Sequence, residues 1–426
     1  MDLHTEKSKL SGVINIPGSK SHTIRAIVLA LLSEGVSTIK NPLCSDDTIS
    51  CLEAASTLGA WIKRGDDSIW RIAGTGGNLL EPARGIIHMG NSGTGLNFFT
   101  ALSALASFKV VLDGDDSLRS RKEKPLIDAL SAMGAATTLS ENGCCPLSVQ
   151  GPVHGGDVTV DGISSQFVSA LLFLAPLLKE DTCLSVTNGH ELPYVAMTLS
   201  WLAKQKIDFK ASSDLAQFHI RGNQKYSAFT TTIPTDFSTA AFPLLAAAVT
   251  GNEVAVPSLD FNDQQGDKAV FALFEKMGVK VSSRNGLTVI KGPRTLKALK
   301  ADLNATPDAL PALAVAASFA NGTSEFTNVA QARMKETDRI RCMAEELSKL
   351  GITCEELPDG LIVHGGTPKA SKELSSRKDH RIAMALACGG LAMEGECVIS
   401  DAESASVTYP DFFHDFMNLG ARFALS

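Results

Sequence analysis

Within residues 17–26, Pro-Gly-Ser-Lys-Ser-His-Thr-Ile-Arg-Ala, the chain gathers Lys20, Arg25 and the hydroxyls of Ser19 and Ser21. An alternating run over 12–16 precedes this stretch and reads as a strand, and an apolar run over 24–32 follows and reads as a helix. A strand that feeds a helix through Pro-Gly, with a serine as N-cap, aims backbone N–H groups and the positive end of the helix dipole at one point. Lys20 and Arg25 add two full charges there. The chemistry this suits is the holding of a phosphate or carboxylate. A capped helix with solvated charges is the plainer alternative. It is not a nucleotide-binding Walker loop, because a serine separates Gly18 from Lys20 and the G-x-x-x-x-G-K-[ST] spacing fails.

The elements that must position such residues emerge when the openings of the alanine-rich apolar helices are aligned. They are Gly18-Ser19-Lys20, Gly90-Asn91-Ser92-Gly93-Thr94, Ser164-Ser165-Gln166, Thr235-Asp236-Phe237-Ser238, Pro307-Asp308 and Asp379-His380-Arg381. Successive openings lie about 71–74 residues apart, an internal repeat in six copies. A second landmark keeps the same period: Gly59, Gly134, Gly278, Gly351 and Gly420 each close a helix before a strand, and only the third copy, near 204–209, lacks the glycine. Each copy reads as a small-residue helix, a strand, an amphipathic helix, and two further strands. The first helix is apolar nearly all round, as over 242–249 and 309–319, so it should be buried; the second carries one apolar stripe, as over 267–277 and 338–350, so it should lie outside. Three copies to a domain, with exchange between halves near 17–20 and 233–236, is the expected organisation. Caps explain the serines and aspartates at the openings but not Lys20, Arg25 and Arg381, which favours a shared cleft for an anionic ligand.

Length and composition bound the rest. The chain has 426 residues, enough for two domains, with 44% hydrophobic, 20% charged and 6% aromatic residues, as in a globular enzyme. A net charge of −7 argues against nucleic acid as a partner, so any anion site must be a local basic concentration. No run reaches membrane-span length and no signal-like N-terminus is present, so no membrane partner and a cytoplasmic location are expected. The nine cysteines are scattered and lack any C-x-x-C, which fits reduced thiols and neither disulfides nor a zinc site.

Taken in order, residues 17–26, 90–94, 164–167, 265–267, 333–339 (R-M-K-E-T-D-R) and 379–383 (D-H-R-I-A) resemble the enolpyruvyl transferases, above all the 5-enolpyruvylshikimate-3-phosphate synthase branch. The resemblance covers essentially the whole chain. The cysteine acid that the UDP-N-acetylglucosamine branch carries in its mobile loop has no counterpart in residues 115–124. The resemblance implies an α/β, two-domain inside-out barrel, each domain three βαβαββ units with buried helices, residues 1–18 plus 236–426 forming one and 19–235 the other. It implies transfer of the enolpyruvyl group of phosphoenolpyruvate to the 5-hydroxyl of shikimate-3-phosphate with release of phosphate, a step towards chorismate and the aromatic amino acids. Neither metal nor organic cofactor is implied, and a monomer that closes on its small-molecule substrates is expected.

By the same resemblance, Lys20, Asp308, Glu336 and His380 are catalytic, Asp308 taking the hydroxyl proton and Glu336 delivering one to carbon. Lys20, Ser21, Arg25, Ser164, Ser165, Tyr194, Asp308, Gln331 and Lys335 would bind the acceptor. Lys20, Asn91, Gly93, Arg121, Gln166, Arg339 and Arg381 would bind phosphoenolpyruvate. Guanidinium groups pair bidentately with carboxylate and phosphate, which is why arginine dominates that half.

The departures are equally informative. Asn97 stands where an arginine is expected, Lys122 replaces a proline, Thr235 a glycine, Gln331 an asparagine and Val407 a lysine. Glu191 replaces a serine that helps hold the acceptor's phosphate. Two cations are lost and a carboxylate is added where a phosphate should rest. If the acceptor is phosphorylated, Glu191 must turn away, towards a cation such as Lys122 or Lys179, or stay protonated. Three readings therefore stand: the shikimate-pathway enzyme, a paralogous transferase acting on a different cyclic alcohol that need carry no phosphate, and an inactive anion-binding homologue.

Overall fold

The computed structural model describes residues 1–65, 68–83 and 85–426. Contacts divide the chain into a contiguous unit, Gly18–Ile233, and a discontinuous one, Met1–Pro17 with Pro234–Ser426. The contiguous unit carries helices α1 (Lys20–Leu32), α2 (Asp46–Thr57), α3 (Gly93–Ser103), α4 (Lys124–Ala132), α5 (Ser165–Leu174) and α6 (Leu192–Lys204). The discontinuous unit carries α7 (Phe237–Thr250), α8 (Ala269–Lys276), α9 (Leu310–Ser318), α10 (Arg339–Lys349), α11 (His380–Gly390) and α12 (Phe412–Asn418).

The odd-numbered helices are the buried ones. Every residue of α9 and α11 is buried, and in the discontinuous unit α7, α9 and α11 pack on one another. Alanines such as Ala246, Ala314 and Ala385 let the backbones approach, while Leu244, Leu313 and Leu386 fill the spaces. Each large apolar side chain so buried contributes about 1.5–3 kcal/mol. In the contiguous unit α3 packs on both α1 and α5 around Phe98, Phe99 and Phe173. The even-numbered helices bury one stripe: in α10 it is Arg339, Ile340, Met343, Glu346 and Leu347.

Each unit has three four-stranded sheets among the described residues, and all six share one pairing pattern, a parallel pair followed by two antiparallel ones. In four sheets the parallel pair brackets a buried helix, as Gly156–Asp161 and Thr182–Thr187 bracket α5. In the other two the leading strands are exchanged. Ser11–Val13 precedes α1 in the chain yet pairs with Glu253–Pro257, which follows α7. Thr230–Thr232 precedes α7 yet pairs with Val36–Lys40, which follows α1. This is the mixed α/β fold, with one set of helices buried and the other amphipathic, that the repeat predicts.

Two local details differ from the sequence reading. The strand expected over 12–16 pairs only over Ser11–Val13, although Ile14 still donates its N–H to the Ala255 carbonyl. In the copy lacking a helix-closing glycine, Lys206 takes the left-handed conformation (φ 59°) that the five glycines take in theirs.

Candidate active site

At five of the six openings the side chain is a cap. Ser19, Ser92, Ser164, Asp236 and Asp379 each accept a backbone N–H of the helix they precede. Asp308, at the sixth, does not. It sits in the 3₁₀ turn Pro307–Ala309 leading into α9, and both its oxygens go to arginines: Arg339 Nη1 at 2.7 Å and Arg381 Nη2 at 2.8 Å. Burial alone would push the Asp308 carboxyl up; Arg381, then Arg339 and Lys335, hold it well below the usual carboxylate range.

Arg339 is the hub of this unit's cluster. It is buried at the start of α10, and beyond Asp308 it donates from Nη2 to Glu336 Oε2 at 2.6 Å and from Nε to Asp379 Oδ2 at 2.7 Å. Burial works against its charge, but Asp379, Glu336 and Asp308 together hold its pKa above even the ordinary arginine value. Asp379 has two tasks, since its Oδ1 also caps α11 through the Arg381 N–H at 2.9 Å. His380 is buried on the next residue, with Nδ1 3.9 Å from Glu336 Oε1. Lys335 sits between the 3₁₀ turn Ala330–Met334 and Glu336. Gln331 is buried nearby in sequence, its amide donating to the Asn304 carbonyl at 3.0 Å. Glu336, Asp379 and His380 bring three potential metal-ligand atoms within 4.8 Å of one another, but the Arg339 guanidinium already supplies the positive charge those carboxylates face.

The contiguous unit gathers its own set. The Ser19 cap starts α1 at Lys20, earlier than the apolar run suggests, and so puts Lys20, Ser21 and Arg25 on its first turns. Lys20 Nζ lies 2.9 Å from Oδ2 of buried Asp47, in the first turn of α2. Arg25 is 2% exposed. Its Nε donates to Thr198 Oγ1 at 2.9 Å, its two Nη atoms to the carbonyls of Ser21 and Tyr194 at 3.0 Å, and its guanidinium lies over the Phe98 ring. Burial lowers its pKa to about 10, which leaves it charged at neutral pH.

Arg121 Nη2 donates to Asn91 Oδ1 at 2.7 Å and Ser117 Oγ at 3.2 Å, and Asn91 is itself held by Asp115 at 2.7 Å. Glycine at 93 lets the guanidinium come close, since a Cβ there would lie 2.7 Å from Arg121 Nη1 and would displace it. Asn97 Nδ2 donates to Gln166 Oε1 at 2.9 Å and to the Gly93 carbonyl at 3.0 Å, so it turns the Gln166 amide with its NH2 away from Asn97. Ser164 caps α5 through the Gln166 N–H, and Ser165 Oγ donates to Glu191 Oε2 at 2.8 Å. Glu191 is therefore not drawn off to Lys122, which donates instead to the Asn142 carbonyl.

The whole chain fits one family. A family model described as EPSP synthase (3-phosphoshikimate 1-carboxyvinyltransferase) matches residues 4–416. The chain belongs to the EPSP synthase family. Curated relatives named 3-phosphoshikimate 1-carboxyvinyltransferase include one from Acetivibrio thermocellus, 45% identical over 99% of both chains, and one from Methanothermobacter thermautotrophicus, 38% identical over 100% of both. Among solved structures, an EPSP synthase from Acinetobacter baumannii superposes with a TM-score of 0.82 at 27% identity, covering 100% of both chains. The enolpyruvyl transferase NikO from Streptomyces tendae gives 0.80 at 17% identity over 99% of this chain and 98% of that one, a likeness of fold. As a member of the EPSP synthase family this chain is a transferase, and no described helix is long and apolar enough to cross a membrane.

Three positioning residues escaped the sequence reading. Asp379 orients Arg339, Asp47 pairs with Lys20, and Thr198 holds Arg25. Asp379 opens the D-H-R triplet and could have been found there. Thr198 lies far from Arg25 in sequence and carries no local signal.

Proposed function

We propose that this chain transfers the enolpyruvyl group of phosphoenolpyruvate to the 5-hydroxyl of shikimate-3-phosphate and releases phosphate. The observation that carries the reading is the buried cluster in which Arg339 and Arg381 share Asp308 while Arg339 also holds Glu336. Two guanidinium groups at one carboxylate are what an anionic substrate would bind to, and two carboxylates are what the two proton transfers need. Asp308 would take the proton of the attacking hydroxyl as its oxygen bonds C2. Glu336 would give a proton to the methylene carbon, with His380 and Lys20 as auxiliaries. The C2–O bond to phosphate would then break as the new methyl group returns a proton to Glu336, which releases phosphate and forms the enol ether.

A carboxylate clamped by two arginines is a weak base. Phosphoenolpyruvate, bound by Arg339 and Arg381 in place of Asp308, would relieve that clamp and raise the basicity of Asp308 when it is needed. Arg121 and Gln166, with Asn91 and Gly93 beside them, would hold the same substrate. Ser21, Arg25, Ser164, Ser165, Tyr194, Gln331 and Lys335 would hold the acceptor. The two units described above would act as the two domains. The nine cysteines, all free thiols, support a cytoplasmic setting. A monomer is the reading for the oligomeric state.

The test is phosphate release from phosphoenolpyruvate with and without shikimate-3-phosphate, with the product read by proton NMR. Release that needs both substrates and gives a new enol ether is expected; no release with both present overturns the reading. One observation favours the second reading, a different cyclic alcohol as acceptor: Glu191 sits on Ser165.

A further inference from the structure

The start of α5 suits a negative charge. The Ser164 and Ser165 hydroxyls and the first-turn N–H groups of a buried ten-residue helix meet there. The chain supplies that charge itself. Glu191 Oε2 accepts from Ser165 Oγ at 2.8 Å, and the residue is 1% exposed. Its backbone is left-handed, φ 54° and ψ 37°, a conformation uncommon in a residue with a Cβ, and it leads straight into α6. The register of α6 is pinned, since Thr198 Oγ1 donates to Ser169 of α5 and accepts from Arg25 of α1, each at 2.9 Å. A sliding of α6 that would carry Glu191 off Ser165 would break both contacts.

We infer that Glu191 sets the acceptor specificity, its carboxylate taking the Ser165 hydrogen bond that a phosphate oxygen of the acceptor would need. A dianionic phosphate has no proton to offer Glu191 and repels it. A neutral hydroxyl at the same ring position donates to the carboxylate. The site therefore gains little from a 3-phosphate and accommodates the same ring bearing a free hydroxyl. The inference rests on the enolpyruvyl-transfer reading, which places the acceptor at Ser164 and Ser165.

Calorimetric titration of the whole protein with shikimate-3-phosphate and with shikimate tests it without turnover. In the wild type the two affinities should lie within about tenfold; a preference for the phosphorylated ring beyond about a hundredfold overturns the inference. Glu191→Ser should bind shikimate-3-phosphate at least about tenfold more tightly, with no gain for shikimate. Glu191→Gln keeps the size and a hydrogen bond to Ser165 but loses the charge, so it should share the gain. A gain in neither variant, or in serine alone, overturns the electrostatic basis. The wild-type comparison stands even if a variant fails to fold. Binding of both rings without phosphate release from phosphoenolpyruvate would sink the transfer reading and leave the specificity inference intact. Turnover of shikimate-3-phosphate with affinities insensitive to Glu191 would do the reverse.

Discussion

The two units treat the arginines of the candidate site in opposite ways. In the discontinuous unit Arg339 is neutralised within the fold by Asp308, Glu336 and Asp379, and Arg381 also leans on Asp308. In the contiguous unit Arg25 and Arg121 are held by carbonyls, hydroxyls and an amide, and neither forms an ion pair among the described residues. Neutral acceptors fix where a guanidinium points without cancelling its charge, which remains available to a ligand. Carboxylate partners cancel the charge, and Asp308 is itself held ionised by its two arginines in return. Arg339 and Arg381 are thus arranged to hold Asp308 ionised, Arg25 and Arg121 to present positive charge.

Four experiments would break or sharpen this contrast. The largest effect is expected from Glu336→Gln and Asp308→Asn, each lowering kcat by about 10²–10⁴-fold while calorimetric binding of both substrates is kept. Near-normal turnover in either variant removes its assigned role. Next come the arginines themselves. Arg339→Met removes the partner that three carboxylates share and should cost about 3–5 kcal/mol in urea unfolding. Arg121→Met should leave stability almost unchanged but raise KM for phosphoenolpyruvate about 10–100-fold. Equal stability losses would erase the distinction between the units.

Asn97→Ala should raise KM for phosphoenolpyruvate by about threefold to tenfold with kcat little changed, because the Gln166 amide loses the donor that orients it. A fall in kcat at constant KM would point to another role. The smallest effect concerns Glu123, buried beside the Arg121 segment, whose carboxyl is pushed up to about 8 by burial against the opposing pull of Arg121. Above the ordinary value of 4.5 the folded chain keeps a proton that the unfolded chain has lost. Its stabilising contribution is therefore complete below that pH and drains away as pH rises through 8. Glu123→Gln should be more stable than the wild type at alkaline pH, by on the order of 1 kcal/mol, and should flatten the decline. Parallel pH profiles of melting temperature would count against a buried, protonated Glu123.

Much of this was legible in the chain. Burial of α9 follows from a run in which only Ser318 is polar, and the cap at Ser19 follows from a serine before an apolar run, because both depend on neighbours within a turn or two. The six-fold repeat is also local, being the same short pattern written again. Even the missing glycine near 206 was visible, although that Lys206 would adopt the left-handed turn was not.

The tertiary structure decided what depends on partners far away in sequence. Nothing near Asp308 distinguishes it from the capping aspartates; it differs because Arg339 and Arg381 reach it from later copies. The strand at Ser11–Val13 pairs across about 240 residues with Glu253–Pro257, and no local propensity encodes that choice. Glu191 could be recognised as misplaced, but its direction could not be read. A long side chain has several staggered orientations of similar energy, and only the packed position of Ser165 selects among them.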